Sequence, residues 1–131
     1  MSVMSVQLLS SSAGQVNVTG DAKKADGFFG FTDGKATIGW YLNAYIGRIV
    51  LQAALATDPQ ATDWFPVAFD GEANPFVEYL STAPQTGLTV FTVTGNFVWV
   101  RAVVDRTNIN PLPPIDQINT LGIVTKVLMN F

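Results

Sequence analysis

The sequence predicts an all-β fold, an antiparallel β-sandwich of jelly-roll type with about eight or nine strands. Three observations lead to this prediction. Apolar and polar residues alternate along most segments, these segments are rich in β-branched and aromatic residues, and turn-forming residues separate them at short intervals. Helical periodicity is nearly absent. Because 131 residues make one domain of ordinary size and no linker or repeat divides them, residues 1–131 are predicted to form a single domain.

Each predicted strand is bounded by residues that favour turns, such as Asp33-Gly34, Asp58-Pro59 and Asn74-Pro75. In chain order the predicted strands are 5–9, 15–19, 35–42, 47–55, 64–69, 76–80, 88–94, 97–105 and 121–131. Between the seventh and the eighth of these lies Thr94-Gly95-Asn96, which predicts a tight hairpin.

The strand at 97–105 has two chemically different faces. Alternation places four aliphatic side chains on the core face, namely Val98, Val100, Ala102 and Val104. The opposite face carries Phe97, Trp99, Arg101 and Val103, an unusual set for a surface that meets only water. Two alternatives explain it: a long loop of the same chain covers Trp99, or this face binds a ligand or another subunit. We also expect Arg101 to lie against Trp99 in a cation–π contact.

The last segment, 121–131, is apolar on both faces and is therefore predicted to lie in the middle of a sheet, so that its removal would unfold the domain. Alternation places two sets of apolar side chains on opposite faces of this strand: Ile123, Val127, Met129 and Phe131 on one, and Val124 and Leu128 on the other. The segment before it, 107–119, contains three prolines and is predicted to be an exposed loop with polyproline character. Its apolar residues Ile109, Leu112 and Ile115 are candidate contacts for a partner.

The composition excludes most catalytic sites. Because the chain has no Cys and no His, it lacks thiol nucleophiles, imidazole bases and the usual transition-metal ligands. Paired carboxylates such as Asp70 and Glu72 flank turn residues, where capping explains them. We therefore predict a protein that is not an enzyme and needs no cofactor. A calcium site built from Asp58, Asp63 and Asp70 is a weaker alternative, since sandwich loops can supply oxygen ligands.

The charge pattern bears on the possible partners. The net charge is −3, and the seven Lys and Arg residues are scattered along the chain. Nucleic acid is not an expected partner, because binding its phosphates needs several basic residues that converge. The first residues lack the charged and apolar regions of a signal peptide, and no segment reaches the length of a membrane span. We expect a soluble protein.

Aromatic residues are the class with the clearest binding potential. Trp40, Tyr41, Tyr45 and Trp64 lie near predicted strand ends, where sugar rings can stack on exposed aromatic faces. Such residues also fill the core of a sandwich, and core packing is the more common role. The sequence leaves both alternatives open.

Four segments resemble a known family: 47–59, then Asp63-Trp64-Phe65-Pro66-Val67, then 94–102 with the letters TGNFVWVRA, and the closing 126–131. Together they resemble small structural proteins encoded by T4-like cyanophages and other marine tailed phages. A looser resemblance is to jelly-roll modules of the galactose-binding type. None of these segments is a catalytic signature.

The resemblance implies a structural or interaction protein of a tailed bacteriophage, made in the host cytoplasm and located in the virion. Its implied partners are other copies of itself or a larger phage structural protein. The alternative is a carbohydrate-binding module that recognises glycans of the host surface.

Overall fold

The computed structural model describes residues 5–30 and 34–130 and contains ten strands and a short helix, α1 (Asp26–Phe29). The strands are β1 (Ser5–Leu9), β2 (Val18–Thr19), β3 (Lys23–Lys24), β4 (Lys35–Tyr45), β5 (Gly47–Ala54), β6 (Phe65–Val67), β7 (Val77–Tyr79), β8 (Gln85–Thr94), β9 (Trp99–Asp105) and β10 (Ile123–Asn130). Two 3₁₀ turns, Ala61–Asp63 and Ile115–Leu121, lie in the connections.

The strands form two antiparallel sheets that pack against each other. Sheet I has the order β1-β10-β4-β8. In sheet II, β9 and β5 lie at the centre; β2 and β3 share the outer side of β9, while β6 and β7 share the outer side of β5. The ten strands therefore occupy eight positions, four in each sheet, in jelly-roll order. This confirms the predicted sandwich, and the one unpredicted strand, β3, is a pair of lysines with no apolar alternation.

The core lies between the sheets and is filled by the inward side of each strand. Trp40 is fully buried and meets the ring of Phe69 edge-on, while Phe69 stacks on Phe91 at 4.5 Å between ring centres. Phe69 belongs to the connection between β6 and β7, so this connection closes one side of the sandwich. The predicted core residues Val100, Ala102 and Val104 of β9 are buried as expected.

The predicted hairpin at Thr94-Gly95-Asn96 is wrong. β8 pairs with β4 in sheet I and β9 pairs with β5 in sheet II, so the chain crosses between the sheets here. Gly95 has a φ of 151°, and the ring of Phe97 occupies the space where a side chain on Gly95 would lie. Because β8 and β9 pair with strands of different sheets, the turn residues between them form a corner and not a hairpin.

β10 lies between β1 and β4, which confirms its predicted place in the middle of a sheet. Its predicted faces are partly wrong. The register against β4 shifts between Val124 and Lys126, so a bulge at Thr125 turns Val124 to the same side as Val127 and Met129. All three are buried, whereas Leu128 is half-buried. Phe131 lies outside the described residues.

One end of the sandwich is held by Arg106, which is 1% exposed. Its guanidinium donates hydrogen bonds to the carbonyls of Gln15, Ile46, Leu121 and Gly122. Burial lowers the pKa of Arg106 below its usual value. The proline-rich segment begins directly after Arg106 and ends just before Leu121 and Gly122, whose carbonyls Arg106 binds, so both ends of the segment are fixed. Within it, Leu112 and Ile115 are exposed, as predicted for a loop, and Ile109 is half-buried.

Candidate functional site

The outer side of sheet II carries the densest group of aromatic and basic side chains in the described residues. On this side, β5 and β9 bring Gln52 opposite Arg101 and Ala54 opposite Trp99. We call this surface the aromatic–cation face and define it by its seven large side chains: Lys24, Phe28, Arg48, Trp64, Phe76, Trp99 and Arg101. They come from five different parts of the chain, and the β5–β9 ladder fixes the spacing of Arg48, Trp99 and Arg101.

Arg101 lies at the centre of this face. Its Nε donates a hydrogen bond of 2.7 Å to Oε1 of Gln52, and its guanidinium carbon lies 4.1 Å from the centre of the Trp64 ring. Burial lowers the pKa of Arg101 below its usual value. Within residues 5–30 and 34–130, no carboxylate lies within ion-pair distance of this guanidinium. Arg101 thus holds a partly desolvated positive charge whose described partners are an amide and a ring.

Trp99 lies next to Arg101 and faces helix α1. Its Nε1 donates to the carbonyl of Thr57 at 2.9 Å, and its ring meets Phe28 edge-on at 5.7 Å between centres. The ammonium of Lys24 lies 4.2 Å from the centre of the Phe28 ring and 5.9 Å from that of Trp99. Phe28 is 39% exposed and Trp99 is half-buried. The loop at 55–64 therefore covers one edge of Trp99, as the first of the two alternatives predicted, and leaves part of the ring at the surface.

The opposite margin of the face has the same kind of pairing. Arg48 forms an ion pair with Glu78 at 2.8 Å, and its guanidinium carbon lies 4.1 Å from the centre of the Phe76 ring. The side-chain amide of Asn108 donates to the same carboxylate oxygen, Oε1 of Glu78. The start of the proline-rich segment therefore borders this face.

The Lys and Arg head groups of this face lie over its aromatic rings. Each of the rings of Phe28, Trp64 and Phe76 has a Lys or Arg head group close to 4 Å from its centre. A cation over a ring is attracted by the ring quadrupole and keeps its own polar head hydrated. The small residues beneath, Val50 and Ala54, have at most 9% of their surface exposed, although they face away from the core. Charged side chains, rather than a further sheet, thus cover part of this apolar surface.

Two predictions about this face need correction. Phe97 does not share the face with Trp99 and Arg101: β9 begins at Trp99, so alternation does not extend back to Phe97, which packs against the core and against Phe65. Arg101 stacks on Trp64 and not on Trp99, because Trp64 enters from the loop before β6.

Trp40 and Tyr45 are fully buried, so the role of a sugar-stacking surface is wrong for both. Tyr45 donates its hydroxyl to the carbonyl of Arg48 and lies beside Arg106. Tyr41 is half-buried on the outer side of sheet I, where the ammonium of Lys126 lies 4.6 Å from its ring centre. Of the four aromatic candidates, Tyr41 and Trp64 keep exposed surface.

The acidic candidates have structural partners. The carboxylate of Asp63 accepts the backbone N–H of Gln60, and that of Asp70 accepts the hydroxyls of Thr92 and Thr94. Asp58 is exposed in the loop after β5. The part of the chain that the structure describes holds no cluster of three or more acidic side chains suited to a metal, so Asp58, Asp63 and Asp70 are not brought together.

Sequence reasoning missed Lys24 and Phe28. They lie on β3 and α1, two elements of two and four residues, and neither element has enough length to show a period. The signal that was present is local: two adjacent phenylalanines between Gly27 and Gly30, a position where exposed rings are unusual.

The described residues form two cavities that are large enough to hold a small molecule. A groove of about 400 Å³ runs between β1 and β2 and is lined mainly by hydroxyl, amide and charged groups, including those of Ser11, Gln15, Asp21 and Lys23. A second hollow of about 190 Å³ lies on the outer side of sheet I. Trp64, Trp99 and Arg101 line neither, so the aromatic–cation face is not the wall of either cavity.

Comparison of the chain with protein families, with curated proteins and with solved structures finds no match. None of the helices in the described residues is long and apolar enough to cross a membrane.

Proposed function

We propose that this protein is a non-enzymatic structural or interaction protein of a tailed-phage particle, and that it binds a neighbouring protein through the aromatic–cation face. The observation that carries the proposal is the combination of Arg101, Trp64 and Trp99 on the outer side of a sheet. Trp and Arg are the residue types most enriched among those that dominate binding energy at protein–protein interfaces. Here Trp99 and Arg101 are held in place by the β5–β9 ladder, and Trp64 packs against Arg101, before any partner arrives, which lowers the entropy cost of binding.

The chemistry of the face favours a protein partner. The charge of Arg101 has an amide and a ring as partners, so a carboxylate from another chain would gain a charge-assisted hydrogen bond without displacing an ion pair. Small-molecule sites are usually concave, whereas these side chains project from a sheet.

The setting in a phage particle comes from the sequence resemblance. Jelly rolls occur in virus capsids and in lectins, so the fold is compatible with both candidate functions and decides between neither. The absence of Cys and His supports a role without catalysis.

The experiment tests whether the protein associates with phage particles. Tagged protein is produced in the host during infection, and the particles are separated from free protein on a density gradient. We expect the wild-type chain to sediment with particles and the double variant Trp99→Ala/Arg101→Gln to remain free. The control Thr125→Ala, at an exposed position of sheet I, should sediment like the wild type. Circular dichroism confirms that each variant is folded. Absence of the wild-type chain from particles would contradict the phage setting, and retention of the double variant would contradict the assigned face.

The second candidate, a carbohydrate-binding module, is supported by the polar groove between β1 and β2. Its hydroxyl, amide and carboxylate groups are those that bind sugar hydroxyls, although no aromatic ring lines the groove. A glycan array probed with and without calcium tests it. Binding that is lost in Asp21→Ala would support this function, and an array without any bound glycan would contradict it.

A further inference from the structure

The edges of the two sheets differ in how they are protected against pairing with another chain. An unpaired edge strand is a template for a further strand, and proteins usually block it with short or broken strands, lysines or prolines. Both edges of sheet II are blocked in this way. One consists of β2 and β3, of two residues each, and includes Lys23 and Lys24; the other consists of β6 and β7, of three residues each, and includes Pro66.

The β1 edge of sheet I is also protected. β1 has five residues, and Gly20 lies so close to the carbonyl oxygen of Leu8 that a side chain at position 20 would collide with it. The chain around Gly20 therefore covers the middle of this edge, and an incoming strand would have to displace it.

The β8 edge has no lysine and no proline; the connection between β6 and β7 covers it at Thr92, and its register against β4 shifts beyond Gly87, which leaves the stretch around Leu88 and Val90 open. β8 has ten residues, QTGLTVFTVT, without a charge or a proline. Its two large aliphatic side chains on the outer side of the sheet are the most exposed large hydrophobic residues of the described strands: Leu88 is 54% exposed and Val90 is 52% exposed. Among the strands of the described chain, β8 pairs only with β4.

Several backbone groups of β8 point away from β4 and have no backbone partner among the described residues. On the side away from β4, the N–H of Asp70 donates to the carbonyl of Thr92 at 2.8 Å. Backbone groups of an antiparallel strand point alternately to its two sides. Val90 and Leu88 therefore direct their N–H and C=O groups to the same open side as Thr92. No described residue other than Asp70 donates a backbone hydrogen bond to this side.

We propose that β8 is a self-association edge, at which a second copy of this chain pairs antiparallel with β8 about a two-fold axis at Thr89. In this register Val90 of each copy lies opposite Leu88 of the other, and the pair forms four backbone hydrogen bonds from groups that have no backbone partner among the described residues. Sheet I becomes a continuous eight-stranded sheet, and Leu88 and Val90 cover each other on its outer side.

A second copy is the occupant that the edge fits. An antiparallel edge pairs with itself under two-fold symmetry, the commonest symmetry of soluble oligomers. Each chain carries a net charge of −3, and β8 is an uncharged segment through which two such chains can approach. The aromatic–cation face lies on the other sheet, so the dimer leaves it free, and the two proposals can fail separately.

The test is the mass of the full chain by sedimentation equilibrium from micromolar to near-millimolar concentration. Val90→Pro removes an N–H that points to the open side, so the β4 ladder is kept while pairing is blocked. Leu88→Lys places a charge at the same edge and serves as the second variant if the proline weakens folding. The control is Leu55→Lys, which removes a leucine that is 63% exposed directly after β5 of sheet II.

We expect a concentration-dependent dimer for the wild type and for Leu55→Lys, and association at least about tenfold weaker for the two edge variants. Trp99→Ala should dimerise like the wild type, which separates this result from the test of the aromatic–cation face. A wild-type monomer throughout the range would overturn the proposal. So would a dimer that persists unchanged in both Val90→Pro and Leu88→Lys, or a wild-type trimer.

Discussion

Arg106 joins three connections at one end of the sandwich through a single buried side chain. It binds carbonyls from the segment before β2, from the β4–β5 corner and from the residues before β10. A buried guanidinium is stabilised here by backbone dipoles in place of a carboxylate. Removing it would leave buried carbonyls without donors, and each such group costs about 1–3 kcal/mol.

The first prediction concerns this residue. Arg106→Met should lower the free energy of unfolding by about 3 kcal/mol or more, because several carbonyls lose their donor at once. Urea denaturation measures the change. The matched control is Arg48→Met, whose ion pair with Glu78 is about a third exposed; exposed pairs contribute about 0–1 kcal/mol. Equal losses for the two variants would show that Arg106 is not the anchor of this end.

The second prediction concerns how the stability of the folded protein depends on pH. Burial raises the pKa of Tyr45 above its usual value, and the nearby Arg106 opposes this only in part. A raised pKa means that the folded state favours the neutral phenol. Its stabilisation is therefore complete below the unfolded pKa of about 10 and is lost as the pH rises above that value. Urea midpoints from neutral pH to pH 11 should fall steeply at the alkaline end.

Tyr45→Phe provides the control for this effect. It should start from a lower stability, because the hydrogen bond to the Arg48 carbonyl is lost, and its alkaline decline should be shallower. Burial also raises the pKa of Tyr79, so some decline remains. An identical alkaline slope in wild type and Tyr45→Phe would contradict the assignment.

At the scale of elements, most strands could be predicted because each alternates over enough residues to show a period. The errors arise where alternation is interrupted. The bulge in β10 reverses the side on which Val124 lies, and the corner after Gly95 removes Phe97 from the face of β9. The signals that were present are short: the adjacent polar residues Thr125 and Lys126 at the bulge, and Gly95 and Asn96 at the corner, which also fit a hairpin. The hairpin was wrong for a related reason: local turn residues do not say which sheet the next strand joins.

The same limit applies to the candidate site. Trp99 and Arg101 could be found because they alternate with core residues on one strand. Lys24 and Phe28 could not, because their contacts with Trp99 depend on where two very short elements lie in space. Whether an aromatic residue near a strand end is buried, as Trp40 is, or half-exposed, as Trp64 is, depends on the sheet order.

The third prediction tests the bulge. Val124→Ala should lower the free energy of unfolding by about 2 kcal/mol, because it removes two buried carbon atoms and leaves a cavity. Leu128→Ala removes more atoms but from a half-buried side chain, and its cost should be smaller. Urea denaturation of both variants measures the order. The reverse order would mean that β10 alternates without a bulge.

At the scale of the whole molecule, the sandwich offers two separate surfaces for association. Sheet II presents rings covered by cations, and sheet I presents a strand edge that is open at Leu88 and Val90. Their positions on different sheets would allow a dimer formed through β8 to present two aromatic–cation faces to a larger particle. Such bivalent binding raises overall affinity without any new contact, provided that the spacing of the partner sites matches.

The central claim is that the aromatic–cation face contacts another protein in the particle, and site-specific photo-crosslinking tests it most directly. A photoreactive phenylalanine analogue replaces Trp64 in one variant and Thr125, exposed on the outer side of sheet I, in the other. Particles are purified and irradiated, and adducts are identified by mass spectrometry. The account predicts a discrete adduct with one particle protein from position 64 and none from position 125. Particle-bound protein that forms its adduct from position 125 and none from position 64 would contradict it.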